Sequence, residues 1–123
     1  MYHIEFYEDA KGYSELWDFL ETLREKSHYN KDARIQYNQI SMYIQLLQEN
    51  GSNLPDNIVK YLGDNIWELR PGTNRVLYFF LKDNTYVLLH HFRKKSQKTP
   101  RHEIERAKSE RQDYINRKDS DVL

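Results

Sequence analysis

The spacing of apolar residues changes once along the chain, from a helical period in the first half to a strand pattern in the second. From Tyr13 to Leu23, and again from Ala33 to Leu47, apolar residues recur three or four positions apart, which predicts two amphipathic helices. Asn50-Gly51 ends the second helix, since glycine adopts the left-handed conformation that closes helices. The short polar link between these stretches predicts an antiparallel helical hairpin.

Strands account for most of the remaining core. A short strand is predicted at residues 3–7, before the hairpin, and three more at residues 66–70, 75–81 and 86–95, separated by turn sequences. The nearly continuous apolar run of residues 75–81 is typical of a central strand that is covered on both faces. We therefore expect four aromatic side chains in the core: Trp67, Tyr78, Phe79 and Phe80.

A last helix is predicted to begin at Thr99-Pro100, with Thr99 as its cap and Pro100 at the first helical position. Its thin apolar stripe indicates a docked but weakly anchored helix, and residues from about 117 to 123 are expected to fray. The chain is thus expected to form one α+β domain over residues 1–123, in the order β-α-α-β-β-β-α.

The composition excludes several classes of protein. The chain has no cysteine, which removes disulfide and zinc-thiolate scaffolds and favours a reducing compartment. No apolar stretch approaches the roughly 20 residues of a membrane span, and the first residues lack the basic and apolar regions of a signal peptide. We expect a cytoplasmic protein without a membrane contact.

The zero net charge hides an uneven distribution. Residues 1–59 contain five basic and ten acidic side chains, whereas residues 60–123 contain 14 basic and nine acidic ones. Between Lys60 and Arg101 there are nine basic residues against three acidic ones. This excess is compatible with a solvated basic face and equally with a polyanionic partner such as a nucleic acid.

Cations gather at the predicted strand ends. Alternation places Glu68 and Arg70 on one face of a strand, and Arg70 and Arg75 lie across a turn from each other, where both guanidinium groups could approach one phosphate. The alternative is simple salt bridging of these arginines with Glu68 or Asp64. Such a cluster suits RNA cleavage, because RNA supplies its own 2′-hydroxyl nucleophile and no metal or cofactor is then required.

The histidines and the remaining aromatic residues leave alternatives open. His90 and His91 are adjacent in a strand and face opposite ways, so they cannot chelate one metal ion together. Either one is buried and one solvated without chemistry, or one of them is a general base. Three aromatic residues near strand ends could stack on a base or pack in the core: Tyr61, Tyr86 and Phe92.

Three motifs resemble a known family. Trp-Glu-Leu-Arg at residues 67–70, Arg-Val-Leu-Tyr at residues 75–78 and Lys-Lys-Ser-Gln-Lys-Thr-Pro at residues 94–100 are similar to those of the HigB-type branch of the RelE/ParE toxin superfamily. The resemblance covers essentially the whole chain. It implies a RelE-like fold, in which an N-terminal strand and a two-helix hairpin pack on a curved antiparallel sheet that is followed by a C-terminal helix.

The resemblance also implies an activity and partners. Members are toxins of type II toxin–antitoxin pairs, and this branch is implied to cleave messenger RNA in the ribosomal A site without a cofactor. A helix-turn-helix antitoxin of the HigA type would neutralise the toxin. The two proteins would form a heterotetramer through dimerisation of the antitoxin, and only the antitoxin would contact operator DNA. Two alternatives are a ParE-like inhibitor of DNA gyrase, and a partner-binding or operator-binding helper that has lost toxicity.

Site residues follow from the same resemblance. Arg70 and Arg75 would hold the scissile phosphate, and Glu68 would orient Arg70 or Lys60. The other implied catalytic residues are Lys94 and Lys95, which stabilise charge, and His91, or else His90, as a possible base. Further contacts to RNA are expected from four basic residues: Lys60, Arg93, Lys98 and Arg101. The acidic first helix should face away from the ribosome, because its charge repels RNA.

Overall fold

The computed structural model describes the backbone of residues 1–122 and the side chains of residues 1–118. Its elements in chain order are β1 (His3–Phe6), α1 (Glu15–Lys26), α2 (Lys31–Asn50), β2 (Val59–Gly63), β3 (Ile66–Leu69), β4 (Asn74–Leu81), β5 (Thr85–Arg93) and α3 (Arg101–Val122). The predicted hairpin, meander and last helix are confirmed. Strand β2 was not predicted, because exposed residues interrupt its short apolar pattern. Of the helices within residues 1–122, none is both long and apolar enough to cross a bilayer.

The two hairpin helices begin at side-chain caps. The side chain of Ser14 accepts a hydrogen bond from the backbone N–H of Trp17, and that of Asn30 accepts one from Ala33. Each cap satisfies a backbone donor at the helix start that has no partner within the helix. Gly51 ends α2 at the predicted position, but its φ of +64° and ψ of −155° are not the expected left-handed helical conformation. The buried residues of the two helices follow the predicted stripes and are Leu16, Leu20, Leu23, Ala33, Ile40 and Leu47.

All five strands form one sheet in the order β1-β5-β4-β3-β2. Strands β2 to β5 are antiparallel neighbours, whereas β1 pairs in parallel with β5. The α+β class and the antiparallel sheet are therefore confirmed for β2 to β5, and β1 joins the edge of this sheet in parallel, so that the whole sheet is mixed. Alternation within residues 3–7 predicts a strand but carries no information about which neighbour it joins or in which direction.

The sheet has apolar packing on both sides. The side covered by α1 and α2, here called the hairpin face, buries Leu69, Val76, Tyr78 and Leu88 among others. The side covered by α3, here called the α3 face, buries a second cluster composed of Ile66, Leu77, Phe79, Val87, Leu89, Ala107 and Tyr114. Phe80 is 38% exposed, contrary to its predicted place in the core, because it lies near the end of β4.

The start of α3 differs from the prediction. The hydroxyl of Thr99 does not cap the helix but donates a hydrogen bond to the carboxylate of Glu68. The carbonyl of Pro100 accepts the first helical hydrogen bonds, from the N–H groups of Glu103 and Ile104. The fraying expected at residues 117–123 falls mostly on side chains outside the described part and stays an expectation.

Candidate functional site

Two arginines and one glutamate converge on the α3 face, at the end of the sheet where β3 turns into β4. Glu68 Oε1 lies 3.2 Å from Arg70 Nε and 3.8 Å from Arg75 Nε. Gly72, with a φ of +63°, helps form the intervening turn, since glycine adopts such a conformation without strain. The structure thus brings together Glu68, the predicted same-face neighbour of Arg70, and the two arginines predicted to lie across this turn. Glu68, Arg70, Arg75 and Thr99 are called the arginine cluster below.

The carboxylate of Glu68 is almost completely buried, with 1% of its surface exposed, and its two oxygens are satisfied unequally. Oε2 accepts a hydrogen bond of 2.5 Å from Thr99 Oγ1. Oε1 and Arg70 Nε lie at ion-pair distance, but their alignment is not that of a hydrogen bond, and both atoms are buried without a hydrogen-bond partner. Such incomplete pairing is costly in a buried place, which marks the cluster as a candidate functional site.

The arginines are anchored by one side of each guanidinium group. Arg75 Nη1 donates to the carbonyls of Gly72 and Asn74, at 2.7 and 2.9 Å, and Arg70 Nη1 donates to the carbonyl of Asp56 at 3.3 Å. The Nη2 group of neither arginine makes a hydrogen bond to any part of the chain that the structure describes. Two Nη2 groups, each with two N–H donors, therefore remain available for an external anion.

The electrostatics of the cluster follow from burial. Removal from water lowers the pKa of Arg75, the nearby charge of Arg70 lowers it further, and Glu68 acts in the opposite direction. Arginine remains protonated in proteins. The cluster therefore holds two positive charges against one buried carboxylate, an excess that an anion such as a phosphate would relieve.

The lysines of the β5 exit lie next to this cluster. The backbone N–H of Lys94 donates to the carbonyl of Thr73, at 2.9 Å, which places Lys94 beside the turn between β3 and β4. Lys94 is half-buried, while Lys95 and Lys98 are exposed. Among the side chains of residues 1–118, none forms an ion pair with these three ammonium groups.

The four expected RNA contacts are spread over two faces. Lys60 is exposed and lies opposite Glu68 in the pairing of β2 with β3, so its side chain shares the α3 face with the arginine cluster. Arg101 is exposed at the first position of α3, and Lys98 lies just before it. Arg93 is on the hairpin face, where its Nη1 donates to Gln36 Oε1 at 2.9 Å.

His91 lies away from the arginine cluster. It pairs with Val76 on the hairpin face, and its ring stacks on that of Phe19, with 3.7 Å between the ring centroids. Burial lowers its pKa, and its Nδ1 is buried without a hydrogen-bond partner. The structure therefore does not bring the suggested base together with the arginines, since the sheet separates them.

His90 is completely buried on the α3 face, between two glutamates of α3. Its Nδ1 lies 2.6 Å from Glu110 and its Nε2 lies 3.0 Å from Glu103. The sequence predicts one buried and one solvated histidine at this position. The buried one is confirmed as His90, whereas the neighbouring His91 is half-buried rather than solvated. The sequence contains a signal for these contacts: Glu103 and Glu110 are seven positions apart and so lie on one side of a helix, with Ala107 between them.

The aromatic residues near strand ends divide between core and surface. Tyr86 is buried, and Phe92 packs partly buried against the α3-face cluster. Tyr61 is exposed on β2 and packs against Trp67, with 4.5 Å between the ring centroids. Of the three residues considered for base stacking, Tyr61 is the one whose ring is accessible.

The geometry provides charge stabilisation more clearly than proton transfer. Arginine forks and lysines beside them bind phosphate oxygens and stabilise negative charge that develops at phosphorus. Both candidate histidine bases are placed elsewhere, His91 on the opposite face and His90 between two carboxylates. The arrangement can thus bind and polarise a phosphodiester.

Comparisons with known proteins agree with this fold. The model of a family described as phage-derived protein Gp49-like (DUF891) matches residues 20–112, which include α2, strands β2 to β5 and the arginine cluster. The chain is similar to the structure of an archaeal RelE–RelB complex from Pyrococcus horikoshii OT3, with 16% identity, a TM-score of 0.54, and coverage of 76% of this chain and 96% of that chain. The RelE-like fold that the sequence resemblance implied is therefore confirmed.

A second solved structure is similar as well, the YoeB–YefM complex from Staphylococcus aureus. It is 15% identical, with a TM-score of 0.48, and the match covers 78% of this chain and 99% of that chain. No curated protein sequence matches the chain.

Proposed function

The chain belongs to the phage-derived Gp49-like family (DUF891), and from this membership, the RelE-like fold and the arginine cluster we propose that it is a HigB-type toxin of a type II toxin–antitoxin pair. The proposed activity is ribosome-dependent cleavage of translated messenger RNA in the A site. The observation that carries the proposal is the pair of arginines whose Nη2 groups are left without partners beside the lysines of the β5 exit.

The proposed reaction is a transfer within the RNA. The 2′-oxygen forms a bond to the adjacent phosphorus, the bond from phosphorus to the 5′-oxygen breaks, and the 5′-oxygen takes up a proton. The products are a 2′,3′-cyclic phosphate and a free 5′-hydroxyl. Because the nucleophile belongs to the substrate, the protein has to align the RNA and stabilise the charge of the phosphorane. The proposal assigns these tasks to side chains, without a metal ion.

Each basic residue has a proposed role. Arg70 and Arg75 hold the non-bridging phosphate oxygens through their free Nη2 groups, and Glu68 fixes the Nε edges of both. Lys94 and Lys95 stabilise charge on the phosphorane or on the leaving oxygen. The remaining contacts to the RNA backbone are assigned to Lys60, Arg93, Lys98 and Arg101.

The base that removes the proton from the 2′-hydroxyl is assigned to the assembled complex. His91 is on the hairpin face and His90 is held between two carboxylates, so neither histidine is placed to reach a phosphate bound at the arginines. A cluster that supplies cations but no base needs the ribosome or the RNA itself to complete the site. This division of labour supports the proposed dependence on the ribosome.

Partners follow from the same proposal. The archaeal RelE in the similar structure is bound to RelB. For this chain we assign a helix-turn-helix antitoxin of the HigA type, which joins two toxins into a heterotetramer through its own dimerisation and alone contacts operator DNA. The site of action is the cytoplasm, and the basic α3 face, rather than the acidic α1, meets the ribosome.

The proposal is tested by inducing the chain in cells, with and without its neighbouring gene, and mapping the 5′ ends of messages within minutes. New in-frame cuts in translated messages are expected, and an Arg75→Lys variant should reduce their rate by about 100-fold, because lysine keeps the charge but loses the guanidinium fork. Arg24→Lys is the matched control, since Arg24 is exposed on α1 and pairs with Glu21.

The outcomes separate the candidate functions. Cuts that disappear in Arg75→Lys but persist in Arg24→Lys would support both the activity and the site. Growth arrest with intact messages would contradict the ribonuclease and favour gyrase inhibition, which DNA-damage signalling would then reveal. Normal growth on induction would favour the helper that has lost toxicity.

A further inference from the structure

Thr99 makes an unexpected contact for a residue that precedes a helix. Its hydroxyl donates to Glu68 Oε2, at 2.5 Å, across 31 positions of the sequence. A threonine before Pro100 would ordinarily cap the following helix through its side chain, but no such cap forms at α3. The hydroxyl is therefore used at the arginine cluster instead of at the helix end.

This contact controls the orientation of the buried carboxylate. It is the only hydrogen bond that the Glu68 side chain makes within the described residues, since Oε1 has none. Without it, the carboxylate would retain two guanidinium groups as its nearest partners. A carboxylate and a guanidinium form their strongest contact as two parallel hydrogen bonds. Loss of the hydroxyl would thus allow Glu68 to rotate and occupy the donors of Arg70 or Arg75.

We propose that Thr99 is a positioning residue: by holding one oxygen of Glu68, it keeps the carboxylate at the Nε edges of Arg70 and Arg75 and leaves their Nη2 groups for the scissile phosphate. This inference rests on the proposed function. Thr99 acts through Glu68 and does not itself touch the RNA.

The same contact holds the end of the lysine-bearing segment of residues 94–99, whose start is held by the backbone hydrogen bond from Lys94 to Thr73. Within this segment, Ser96 Oγ donates to the carbonyl of Lys98, which is a contact inside the segment. Among the side chains of residues 1–118, the only hydrogen bond from this segment to the sheet is the one that Thr99 makes to Glu68. Thr99 therefore links the position of the lysines to the orientation of the arginines.

The test compares Thr99→Val, which removes the hydroxyl at nearly equal size, with Thr99→Ser, which keeps it. The assay is single-turnover cleavage of a messenger RNA on programmed ribosomes. We expect Thr99→Val to lower the maximal rate by about tenfold or more, with a half-saturating ribosome concentration within about twofold of the wild-type value, because the hydroxyl acts on the reacting geometry. Thr99→Ser should restore most of the rate.

Thr85→Val is the matched control. Thr85 is at the far end of β5, where its hydroxyl donates to the carbonyl of Asp83 at 3.3 Å. This variant should cleave at the wild-type rate. Thermal unfolding of all variants identifies any loss of rate that merely reflects loss of fold.

A second measurement does not depend on activity. The Nε–H signals of Arg70 and Arg75 in the NMR spectrum of the free protein should shift in Thr99→Val and not in Thr85→Val, because the carboxylate turns toward the guanidinium groups. Unchanged arginine signals would overturn the inference, as would wild-type or faster cleavage by Thr99→Val, or failure of Thr99→Ser to restore the rate. An inactive wild-type protein would instead overturn the proposed function, and the arginine signals would still decide whether Thr99 orients Glu68.

Discussion

The two faces of the sheet hold their helices by different means. On the hairpin face, α1 and α2 each bury three apolar residues against the strands. On the α3 face, two described residues of α3 are buried, Ala107 and Tyr114. The described part of α3 also makes polar contacts with the sheet and its neighbours. Glu103 and Glu110 flank His90, Tyr114 donates to Glu5, Arg111 donates to Asp64, and Arg117 donates to the carbonyls of Glu8 and Asp9.

This difference shows why the candidate site lies on the α3 face. Apolar packing excludes charges, because a buried charge without partners is very costly. On the α3 face, carboxylates and guanidinium groups already bind α3 to the sheet. The same polar surroundings can also accommodate Glu68, whose Oε1 has no hydrogen-bond partner, and the two arginines beside it. The thin apolar stripe expected for α3 is confirmed, since two of its described residues are buried, and polar contacts add to them. The weak anchoring of this helix stays an expectation.

The largest expected effect concerns the hairpin face. Ile40→Ala removes a side chain with no exposed surface from the middle of α2 and leaves a cavity between α2 and the sheet. We expect the free energy of unfolding to fall by about 2–5 kcal/mol. Urea unfolding followed by circular dichroism measures the change. The loss should be independent of salt, because no charge is involved.

Met42→Ala is the control for this prediction. Met42 lies on the same helix but is 58% exposed, so its truncation should change the free energy of unfolding by no more than about 0.5 kcal/mol. Equal losses for Ile40→Ala and Met42→Ala would show that the hairpin is not held by its buried stripe, and the contrast between the two faces would fail.

The two faces also differ in what the sequence reveals. The hairpin follows from the periodicity of its apolar residues alone. Residues such as Leu16 and Ile40 recur at the spacing of one helix side, so that side must be buried in the core. The same-face position of Glu68 and Arg70 likewise follows from strand alternation. Periodicity does not specify polar partners, so the contacts of Thr99 with Glu68 and of His90 with α3 were not predicted.

Strand order was also beyond the sequence pattern. The parallel pairing of β1 with β5 joins residues more than 80 positions apart, from His3 opposite Thr85 to Phe6 opposite Leu88. The alternation of apolar and polar residues within one strand gives no information about a partner strand that is so distant in the sequence. The site needed both kinds of information: alternation predicts that the arginines and Glu68 share a face, but only the tertiary structure adds Thr99 and removes His91.

A smaller effect is expected from one polar anchor of α3. The hydroxyl of Tyr7 donates to Asp113 at 2.6 Å, and burial together with this hydrogen bond raises the pKa of Tyr7 to about 12, so the donor persists at neutral pH. Tyr7→Phe should cost about 1 kcal/mol. Because the contact is made by α3, hydrogen exchange should accelerate in that helix and stay slow in α2.

Tyr29→Phe is the matched control for this substitution. Tyr29 is 78% exposed in the link between α1 and α2, and its hydroxyl makes no hydrogen bond within the described residues. It should leave exchange unchanged in every helix. If Tyr7→Phe accelerated exchange equally in α2 and α3, the two helices would open as one unit. The proposed difference in stability between the two faces would then be wrong.

The smallest effect is a pH dependence on the hairpin face. Burial lowers the pKa of His91 below its ordinary value of 6.5, while the charge of Glu15 acts in the opposite direction. Between the lowered pKa and 6.5, the unfolded chain binds a proton at this residue that the folded chain does not. The free energy of unfolding should therefore fall as the pH decreases below about 6.5, by at most about 1.4 kcal/mol per pH unit from this residue.

His91→Phe isolates this contribution, because phenylalanine keeps a ring against Phe19 and cannot be protonated. Urea unfolding at pH 7.5 and at pH 5.5 should show a smaller loss of stability on acidification for the variant than for the wild-type protein. Parallel curves would mean that His91 takes up its proton as readily in the folded chain as in the unfolded one. In that case the hairpin face would admit a charge at low pH, and the distinction between an apolar and a polar face would not hold at this end of the sheet.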